Sequence, residues 1–513
     1  MRVIGDIARL NAKRNPNKKA LIMGEDSLAY GQLNQMANQL AHGLLSKGMS
    51  PGDRIAVLAH NCLEAVVINY AVSKCGGIVV PANFRYKKDE LIYLINDCEP
   101  RFLLFGGDFS SLVEEAKPRF SRPVGLVAIS GDPLESKGTL KDLMDGKSTA
   151  EPAMDVDPMS AFTITYTSGT TGAPKGVHAS HSGFLNIYQG MVVEGDLQPE
   201  EVTLVNLPLF HTGGMHALVQ PTLLRGGTAV IMGKGFEPEK VLDAVKRYRV
   251  TMTMWVPTML AMLINHPKVT HYDLSSLGKI WYGSSAISPP VLEAAQRIFR
   301  TKFYQWYGQT ETGMVSILRP EDHAHHSQWT GREMFNADLR VVTEEGEDTA
   351  EGEVGEIISA QKYLGMIGYH NMEQATKKAV RNGWIHTGDL ARVEQNGYFT
   401  IVDRISDMII SGAENIYPKE IEDVIANHPA VMEVAVFGIP DEVWGESVCA
   451  AVVAKEAHRV TEQEIIDFCA SKISGYKKPK LVKIMAELPK NPSGKIMKKV
   501  LKEPYWAGRS KRV

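Results

Sequence analysis

Hydrophobic residues in the first third of the chain recur with two periods, one helical and one extended. Leu33, Met36, Leu40 and Leu44 follow a helical spacing, which predicts a helix over residues 30–47. Further helices and buried strands alternate after it: helices at 62–74 and 88–96, and strands at 54–59, 77–80 and 102–105. This order predicts parallel sheets covered by helices.

A second alternating block, with a helix at 241–249 and a strand at 251–255, extends to about residue 305. The pattern then changes to antiparallel strands and finally to a small α+β unit: strands at 339–342, 354–359 and 398–404, then a helix at 419–427, strands at 433–437 and 448–453, and a helix at 461–472. The predicted fold class is therefore α/β and α+β. A large N-terminal domain with helix-covered parallel sheets and a β-rich subdomain precedes a small α+β C-terminal domain, with the boundary near residues 403–406.

Bulk properties narrow the class of protein. The 513 residues are too many for one compact core, and 44% hydrophobic with 22% charged residues is ordinary for a soluble globular protein. A formal net charge of −3 argues against nucleic-acid binding. Five scattered cysteines and no apolar leader segment predict reduced thiols in the cytoplasm. The longest apolar stretch, residues 65–80, is too interrupted to cross a bilayer, which leaves only peripheral membrane contact open.

The segment most informative about function is residues 166–177, which read YTSGTTGAPKGV. Glycines allow close backbone approach to a ligand, and successive N–H groups of such a loop can form an anion-binding nest. Hydroxyl groups and Lys175 suit phosphate. The segment is not a P-loop, because Pro174 separates Gly172 from Lys175. A flexible surface loop is the alternative, and composition alone does not separate the two interpretations.

The segment resembles the phosphate loop of the adenylate-forming enzymes, a superfamily of acyl-CoA synthetases, aryl-CoA ligases, luciferases and peptide-synthetase adenylation domains. The chain is most similar to the fatty-acyl and aryl-CoA synthetases. The resemblance implies that the loop binds the phosphates of ATP through Thr167, Ser168, Gly169, Thr170, Thr171, Gly172 and Lys175.

Two further motifs resemble the adenine site of that superfamily. Residues 306–313 read WYGQTETG, where Tyr307 offers a flat ring and Glu311 a hard oxygen for Mg²⁺. Residues 282–288 read YGSSAIS, where relatives often carry Gly-Gly-Ala-Pro. The resemblance implies that the nucleotide is contacted by Gly283, Ser284, Ser285, Tyr307, Gly308 and Thr310.

The ribose site is implied by residues 384–390, WIHTGDL, and 402–407, VDRISD. Asp389 can accept two hydrogen bonds from a ribose diol. Without the resemblance, an aspartate after a glycine is most often a turn former. Arg404 matches the arginine that assists at ribose and phosphate. Asp403 and Asp407 are interpreted as structural.

The segment LPLFHTGGM, residues 207–215, resembles the part of the superfamily that lies beside the carboxylate being activated. His211 is therefore a candidate pocket gate. Enzymes that activate α-amino acids place an aspartate in this region to pair the ammonium. Residues 204–217 contain no carboxylate, which favours acids without an α-amino group.

The C-terminal region carries two more matches. Residues 410–418, ISGAENIYP, resemble the loop that lines the pantetheine tunnel, so Gly412, Ala413 and Glu414 are implied to approach coenzyme A. Lys495, in PKNPSGKIMKK, matches the lysine that enters the nucleotide site during the first half-reaction.

The resemblance implies an ATP-dependent acyl-CoA synthetase that uses ATP, Mg²⁺ and coenzyme A on a small-molecule fatty, branched or aromatic acid. Its catalytic residues would be Lys495, Glu311, Thr170 and His211, with Glu311 on the metal. Residues 1–403 would form the adenylation domain, 404–406 a hinge with Ser406 as pivot, and 407–513 a mobile domain. The oligomeric state would be monomer or homodimer. Two alternatives stay open: an enzyme that loads a carrier protein, and a luciferase-like oxidative relative.

Overall fold

The computed structural model describes residues 1–130, 138–167, 174–285, 287–363, 366–411, 414–455, 458–491 and 494–507. Within these ranges the α-helices are α1 (Asp6–Arg14), α2 (Tyr30–Ser46), α3 (Leu63–Lys74), α4 (Lys88–Cys98), α5 (Ser110–Ala116), α6 (Leu140–Met144), α7 (His181–Glu194), α8 (Gln220–Arg225), α9 (Pro238–Tyr248), α10 (Pro257–Ile264), α11 (Pro289–Phe299), α12 (His323–His326), α13 (Glu373–Ala379), α14 (Pro418–Ala426), α15 (Glu462–Ala470) and α16 (Lys498–Trp506).

The strands of the same ranges are β1 (Lys19–Met23), β2 (Asp26–Ala29), β3 (Arg54–Leu58), β4 (Ile78–Ala82), β5 (Phe102–Gly106), β6 (Gly125–Ser130), β7 (Gly138–Thr139), β8 (Ala161–Thr167), β9 (Lys175–Ser180), β10 (Val202–Val205), β11 (Thr228–Ile231), β12 (Met252–Trp255), β13 (Lys279–Gly283), β14 (Lys302–Gln309), β15 (Gly313–Leu318), β16 (Arg332–Glu333), β17 (Leu339–Val342), β18 (Val354–Ala360), β19 (Met366–Tyr369), β20 (Val380–Arg381), β21 (Trp384–Val393), β22 (Phe399–Arg404), β23 (Ile409–Ser411), β24 (Glu414–Ile416), β25 (Val431–Asp441), β26 (Gly445–Ala454) and β27 (Leu481–Met485).

Two large sheets form the N-terminal part of the molecule. One has the order β16-β15-β14-β13-β12-β10-β11-β1-β2, and the other β19-β9-β8-β4-β3-β5-β6-β7. Helix α3 contacts β1 of the first sheet and β4 of the second, and almost all its residues are buried. A helix that is buried on nearly all sides occupies such a position between two layers. The two sheets therefore share one core.

Two smaller sheets complete the fold. The order β17-β18-β21-β20, with β22 paired to β21, is the β-rich unit, and β24-β23-β26-β25, with β27 paired to β26, lies near the C-terminus. Strand β26 is buried along nearly its whole length. Helices α14 and α15 contribute to the apolar cluster on one side of this sheet, and α16 to the cluster on the other.

The predicted fold class is confirmed. The pairs β3–β4, β3–β5, β10–β12 and β13–β14 are parallel, and β17 pairs with β18 antiparallel. Differences from the predicted elements are confined to their ends. Helix α9 begins at Pro238 rather than at residue 241, because proline is well suited to the first turn of a helix. The domain boundary at 404–406 stays a prediction.

Three hairpins bring the candidate functional segments towards one another. Strands β8 and β9 flank the phosphate-loop motif, β14 and β15 flank the YGQTE turn, and β21 and β22 carry Asp389 and Arg404. No helix in the described ranges is both long enough and apolar enough to cross a membrane.

The contact between α2 and α6 generates a test of the packing. A Cβ atom added at Gly43 would lie 2.0 Å from the backbone oxygen of Leu143, whereas one added at Gly278 would lie 3.6 Å from the oxygen of Thr251. Alanine favours a helix over glycine by about 1 kcal/mol. We nevertheless expect Gly43→Ala to lower the free energy of unfolding by about 1–3 kcal/mol, because the clash is with backbone.

Urea unfolding followed by circular dichroism measures this change, with Gly278→Ala as the matched control. The packing would be contradicted if Gly43→Ala were as stable as the control.

Candidate active site

Asp389 is the centre of the best-defined group of polar side chains. It is 4% exposed, and its Oδ2 accepts hydrogen bonds from the hydroxyl of Tyr307 at 2.9 Å and from Nε2 of Gln309 at 2.7 Å. Nε of Arg404 lies 3.1 Å from Oδ1. The antiparallel register of β21 and β22 places Arg404 opposite Asp389. The buried carboxylate is thus held by partners from two different sheets.

Tyr307 lies at the junction of the large sheet and the β-rich unit. Its ring meets Phe399 of β22 edge to face, with ring centroids 5.9 Å apart. Desolvation and the neighbouring carboxylate of Asp389 raise the pKa of Tyr307 well above its usual value. The hydroxyl therefore stays protonated and donates to Asp389.

The turn after β13 contains the candidate adenine-site residues Gly283, Ser284 and Ser285. A Cβ atom at Gly283 would lie 2.3 Å from the backbone oxygen of Trp306, so only glycine fits there. Ser284 has φ of 69°, a left-handed conformation that costs a residue with a side chain roughly 1–2 kcal/mol. Ser284 and Ser285 are exposed, so the turn offers its backbone and two hydroxyls at the surface of the site.

The YGQTE turn is closed by Thr312, which is buried and whose hydroxyl accepts the N–H of Gln309 at 3.0 Å. Gly308 faces the opposite strand so closely that a Cβ atom would lie 2.0 Å from the oxygen of Gly313. Thr310 and Glu311 therefore occupy the tip of a tight hairpin. Oε1 of Glu311 accepts a hydrogen bond from the hydroxyl of Tyr369, on β19, at 2.9 Å.

The phosphate-loop residues Ser168, Gly169, Thr170, Thr171 and Gly172 lie outside the described residues. The flanks of the loop are described: Thr167 of β8 pairs with Lys175 of β9, and the hydroxyl of Tyr93 on α4 donates to the oxygen of Pro174 at 2.9 Å. Nζ of Lys175 lies 5.0 Å from the ring centroid of Tyr369. Lys175, on one flank of the loop, therefore shares Tyr369 as a neighbour with Glu311.

Lys495 belongs to a turn closed by Asn491, whose Oδ1 accepts the N–H of Lys495 at 2.8 Å. Next to it, the oxygen of Gly494 accepts a hydrogen bond from the hydroxyl of Thr258, at the start of α10, at 3.5 Å. Burial and the charge of Arg404 lower the pKa of Lys495 to about 8, while Asp389 and Asp407 oppose that shift. The C-terminal lysine therefore lies within electrostatic reach of the Asp389 group.

His211 lies within electrostatic reach of the same lysine. Burial and the charge of Lys495 lower the pKa of His211 to about 4, so the imidazole is neutral at physiological pH. Its Nδ1 accepts the N–H of Gly213 at 3.2 Å, which leaves the proton on Nε2. A Cβ atom at Gly214 would lie 2.2 Å from the oxygen of Pro208, so the HTGG turn requires this glycine.

The loop predicted to approach coenzyme A lies only partly within the described residues. Gly412 and Ala413 lie outside the described residues, and Glu414 is exposed on β24, paired with Ser411 of β23. Within the described parts of the chain, no hydrogen bond or ion pair connects Glu414 to the Asp389 group. Its predicted role stays a prediction.

Three residues of this site were missed from the sequence. Gln309 occupies the variable position of the YGxTE motif, and this place inside a nucleotide-site motif could have identified it as a candidate. Tyr369 and Thr258 carried no recognisable signal, because each becomes relevant only through a contact with a residue more than 50 positions away.

The class of protein follows from comparison with family models. The model described as AMP-binding enzyme matches residues 8–370, and the AMP-binding enzyme C-terminal domain matches residues 420–495. The chain belongs to the AMP-binding enzyme family.

Individual relatives cover nearly the whole chain. The fatty acid–[acyl-carrier-protein] ligase ScoC of Streptomyces coeruleorubidus is 33% identical over 98% of this chain and 96% of the relative. Feruloyl-CoA synthase of an Amycolatopsis species is 35% identical over 95% and 96%. Among solved structures, the anthranilate CoA ligase AuaEII in complex with anthranoyl-AMP aligns with a TM-score of 0.92 and 26% identity, over 99% of this chain and 98% of that one.

The charges around Lys495 generate a prediction that needs no substrate. An amine is acylated only in its neutral form, so competitive labelling across a pH series should give a midpoint near pH 8 for Lys495, against about 10.4 for an ordinary lysine. Arg404→Gln should move the midpoint up, because a neighbouring positive charge is lost, and Asp389→Asn should move it down. Peptide mass spectrometry measures the extent of labelling at each lysine. A midpoint for Lys495 equal to that of surface lysines would contradict this electrostatic arrangement.

Proposed function

We infer that this member of the family is an AMP-forming carboxylic acid:CoA ligase. The acid's carboxylate attacks the α-phosphorus of MgATP to form acyl-AMP and pyrophosphate, and the thiol of coenzyme A then attacks the acyl carbonyl and releases AMP. The observation that carries this proposal is the meeting of the Asp389 group with Lys495 and His211 at one site. The family match and the names of several relatives as CoA ligases support it.

We propose that Asp389 binds the ribose. A carboxylate has about four acceptor positions. Tyr307 and Gln309 use two of them at Oδ2, and Arg404 uses one at Oδ1. One position thus remains for a ribose hydroxyl without displacing a partner among the described residues. Tyr307 and the Gly283–Ser284–Ser285 turn would flank adenine, with Gly308 and Thr310 beside it and Arg404 near the phosphate.

Glu311 fits the role of a magnesium ligand. Mg²⁺ is commonly held by one or two carboxylates together with substrate phosphates and water. In the described part of the chain no group of three or more His, Cys, Asp or Glu side chains could hold a metal by itself. A single carboxylate beside the flanks of the phosphate loop suits an ion that arrives with ATP. When bound, Mg²⁺ would neutralise charge that develops on the phosphates.

The remaining roles follow from charge and position. Lys495 would stabilise the pentacoordinate phosphorus, Thr167, Thr170, Lys175 and the rest of the phosphate loop would hold the departing pyrophosphate, and neutral His211 would border the acid. Positioned charges of this kind supply most of the catalysis in phosphoryl chemistry. Gly412, Ala413 and Glu414 would border coenzyme A.

We propose a hinge at residues 404–406 between an adenylation domain, residues 1–403, and a mobile domain, residues 407–513. Ser406, the proposed pivot, is exposed. The hydrogen bond from Thr258 to the loop of Lys495 supports a closed arrangement suited to the first half-reaction. Rotation about the hinge would then remove Lys495 and admit the coenzyme A loop.

A second candidate acceptor is a carrier-protein thiol. The 33% identity to a fatty acid–[acyl-carrier-protein] ligase favours it specifically. Both candidates share acyl-AMP formation and differ only in the thiol acceptor, so assays of one enzyme preparation with each thiol distinguish them.

We also propose a cytoplasmic location, because all five cysteines are free thiols.

We expect purified enzyme with MgATP, coenzyme A and a panel of acids to release AMP and pyrophosphate. Fatty and aryl acids should react faster than α-amino acids, because burying an unpaired ammonium costs roughly several kcal/mol and residues 204–217 contain no carboxylate to pair it.

Pyrophosphate release and mass spectrometry of the thioester measure both points, with phosphopantetheinylated carrier protein replacing coenzyme A in a parallel arm. Formation of ADP and phosphate would refute the adenylation mechanism, and an α-amino acid that outcompetes its deaminated analogue would refute the substrate class.

We expect Lys495→Ala to slow acyl-AMP formation by about 10²–10³, the usual cost of removing one preorganised charge-stabilising donor. Thioester formation from supplied acyl-AMP should be nearly unchanged. Lys499→Ala is the matched control, since this neighbouring lysine is exposed. Single-turnover assays that start from acid plus ATP, or from acyl-AMP plus coenzyme A, separate the steps. Equal slowing of both steps would rule out domain alternation as the reason.

A further inference from the structure

Tyr369 connects two charged residues that the sequence motifs treat separately. Its hydroxyl donates to Oε1 of Glu311 at 2.9 Å, and Nζ of Lys175 lies 5.0 Å from the centroid of its ring. Glu311 is on the β14–β15 hairpin of one large sheet, whereas Lys175 and Tyr369 are on β9 and β19 of the other. One side chain therefore bridges the two sheets at the candidate magnesium–phosphate position.

The hydroxyl of Tyr369 leaves part of the Glu311 carboxylate available. A carboxylate only accepts hydrogen bonds, so the hydroxyl of Tyr369 is the donor to Glu311. Among the described residues the only hydrogen bond to this carboxylate is made at Oε1. A single directed donor fixes the orientation of the carboxylate while Oε2 keeps its lone pairs.

The ring of Tyr369 has a separate effect on Lys175. An ammonium over an aromatic face is attracted by the ring without loss of its charge. No ion pair joins Lys175 to Glu311 in the described residues, and both contact Tyr369 instead. A direct ion pair between them would occupy both charges before ATP arrived.

We propose that Tyr369 is a positioning residue for the magnesium–triphosphate group, in that its hydroxyl orients Glu311 for Mg²⁺ and its ring keeps Lys175 apart from that carboxylate. The inference rests on the proposed function, because it assigns the partner of Glu311 as the magnesium of MgATP and the partner of Lys175 as a phosphate. It adds a residue outside the phosphate-loop, YGQTE and TGD motifs.

Substitution separates the two effects. Tyr369→Phe removes the hydroxyl and keeps the ring, so only the orientation of Glu311 is lost. Tyr369→Leu removes both, so Lys175 can pair with Glu311. In the double variant Tyr369→Leu/Glu311→Gln, Lys175 has no carboxylate to pair with.

Tyr93 on helix α4 offers a matched control, because it contacts the flank of the same loop. Tyr93→Phe removes another hydroxyl with a hydrogen bond of 2.9 Å, but that bond goes to the backbone of Pro174 and not to Glu311. Its effect on ATP binding should be the same with and without Mg²⁺.

Calorimetric titration with ATP, in Mg²⁺ and separately in EDTA, measures binding without turnover. Hydrogen bonds to charged groups correspond to about tenfold or more in affinity, so Tyr369→Phe should reduce the Mg²⁺-dependent gain in ATP affinity by about that factor. Its affinity for metal-free ATP should match wild type. Tyr369→Leu should also weaken metal-free ATP binding, and the added Glu311→Gln change should restore it.

The proposal is overturned if Tyr369→Phe keeps the wild-type gain from Mg²⁺, or if Glu311→Gln fails to restore metal-free binding in the leucine variant. Circular dichroism confirms folding, and the phenylalanine variant alone decides the first point. Absence of MgATP binding by the wild-type enzyme would instead overturn the proposed function, and this inference with it, before any variant is compared.

Discussion

The buried carboxylate of Asp389 is the constraint on which the rest of the site depends. An ionised carboxylate removed from water is costly unless it is paired and hydrogen-bonded. Asp389 meets that requirement through Tyr307 and Gln309 on β14 and through Arg404 on β22. These partners lie on two different sheets, and one of them, Arg404, is also the first residue of the proposed hinge. Satisfying one charge therefore fixes the candidate adenine side, the ribose side and the start of the mobile region relative to one another.

Burial also acts on the lysine that lies within electrostatic reach of that carboxylate. The pKa of Lys495 is lowered to about 8 by burial and by Arg404, although Asp389 and Asp407 act in the opposite direction. Burial disfavours the charged form of an amine, and a neighbouring anion favours it. A nucleotide triphosphate would supply that anion. His211 is held neutral mainly by burial, and the positive charge of Lys495 adds to that effect.

The topology explains how distant segments reach one place. Three antiparallel strand pairs carry the phosphate-loop flanks, the YGQTE turn and the Asp389–Arg404 pair. Close backbone approaches at Gly308 in the YGQTE turn, at Gly283 after β13 and at Gly214 in the HTGG turn exclude larger side chains. Loops positioned by rigid strands are where binding residues commonly occur. The strands thus fix the positions of the loops, and the loops carry most of the candidate binding residues.

The amino-acid sequence by itself determined the class of fold and pointed to most of the candidate nucleotide-site residues. Periodicity specifies helices and strands locally. Asp389, Arg404, Tyr307 and Glu311 stand in motifs that were recognised through their resemblance to the adenylate-forming superfamily. Only the tertiary structure decided that Tyr369 joins Glu311 to Lys175, that Thr258 meets Gly494, and that Gln309 shares Asp389 with Tyr307. The pairing of β19 with β9 brings Tyr369 next to a loop about 200 positions earlier in the chain. Such contacts depend on strand order and register, which local patterns do not encode, and the lowered pKa of Lys495 depends on burial by segments far from it in sequence.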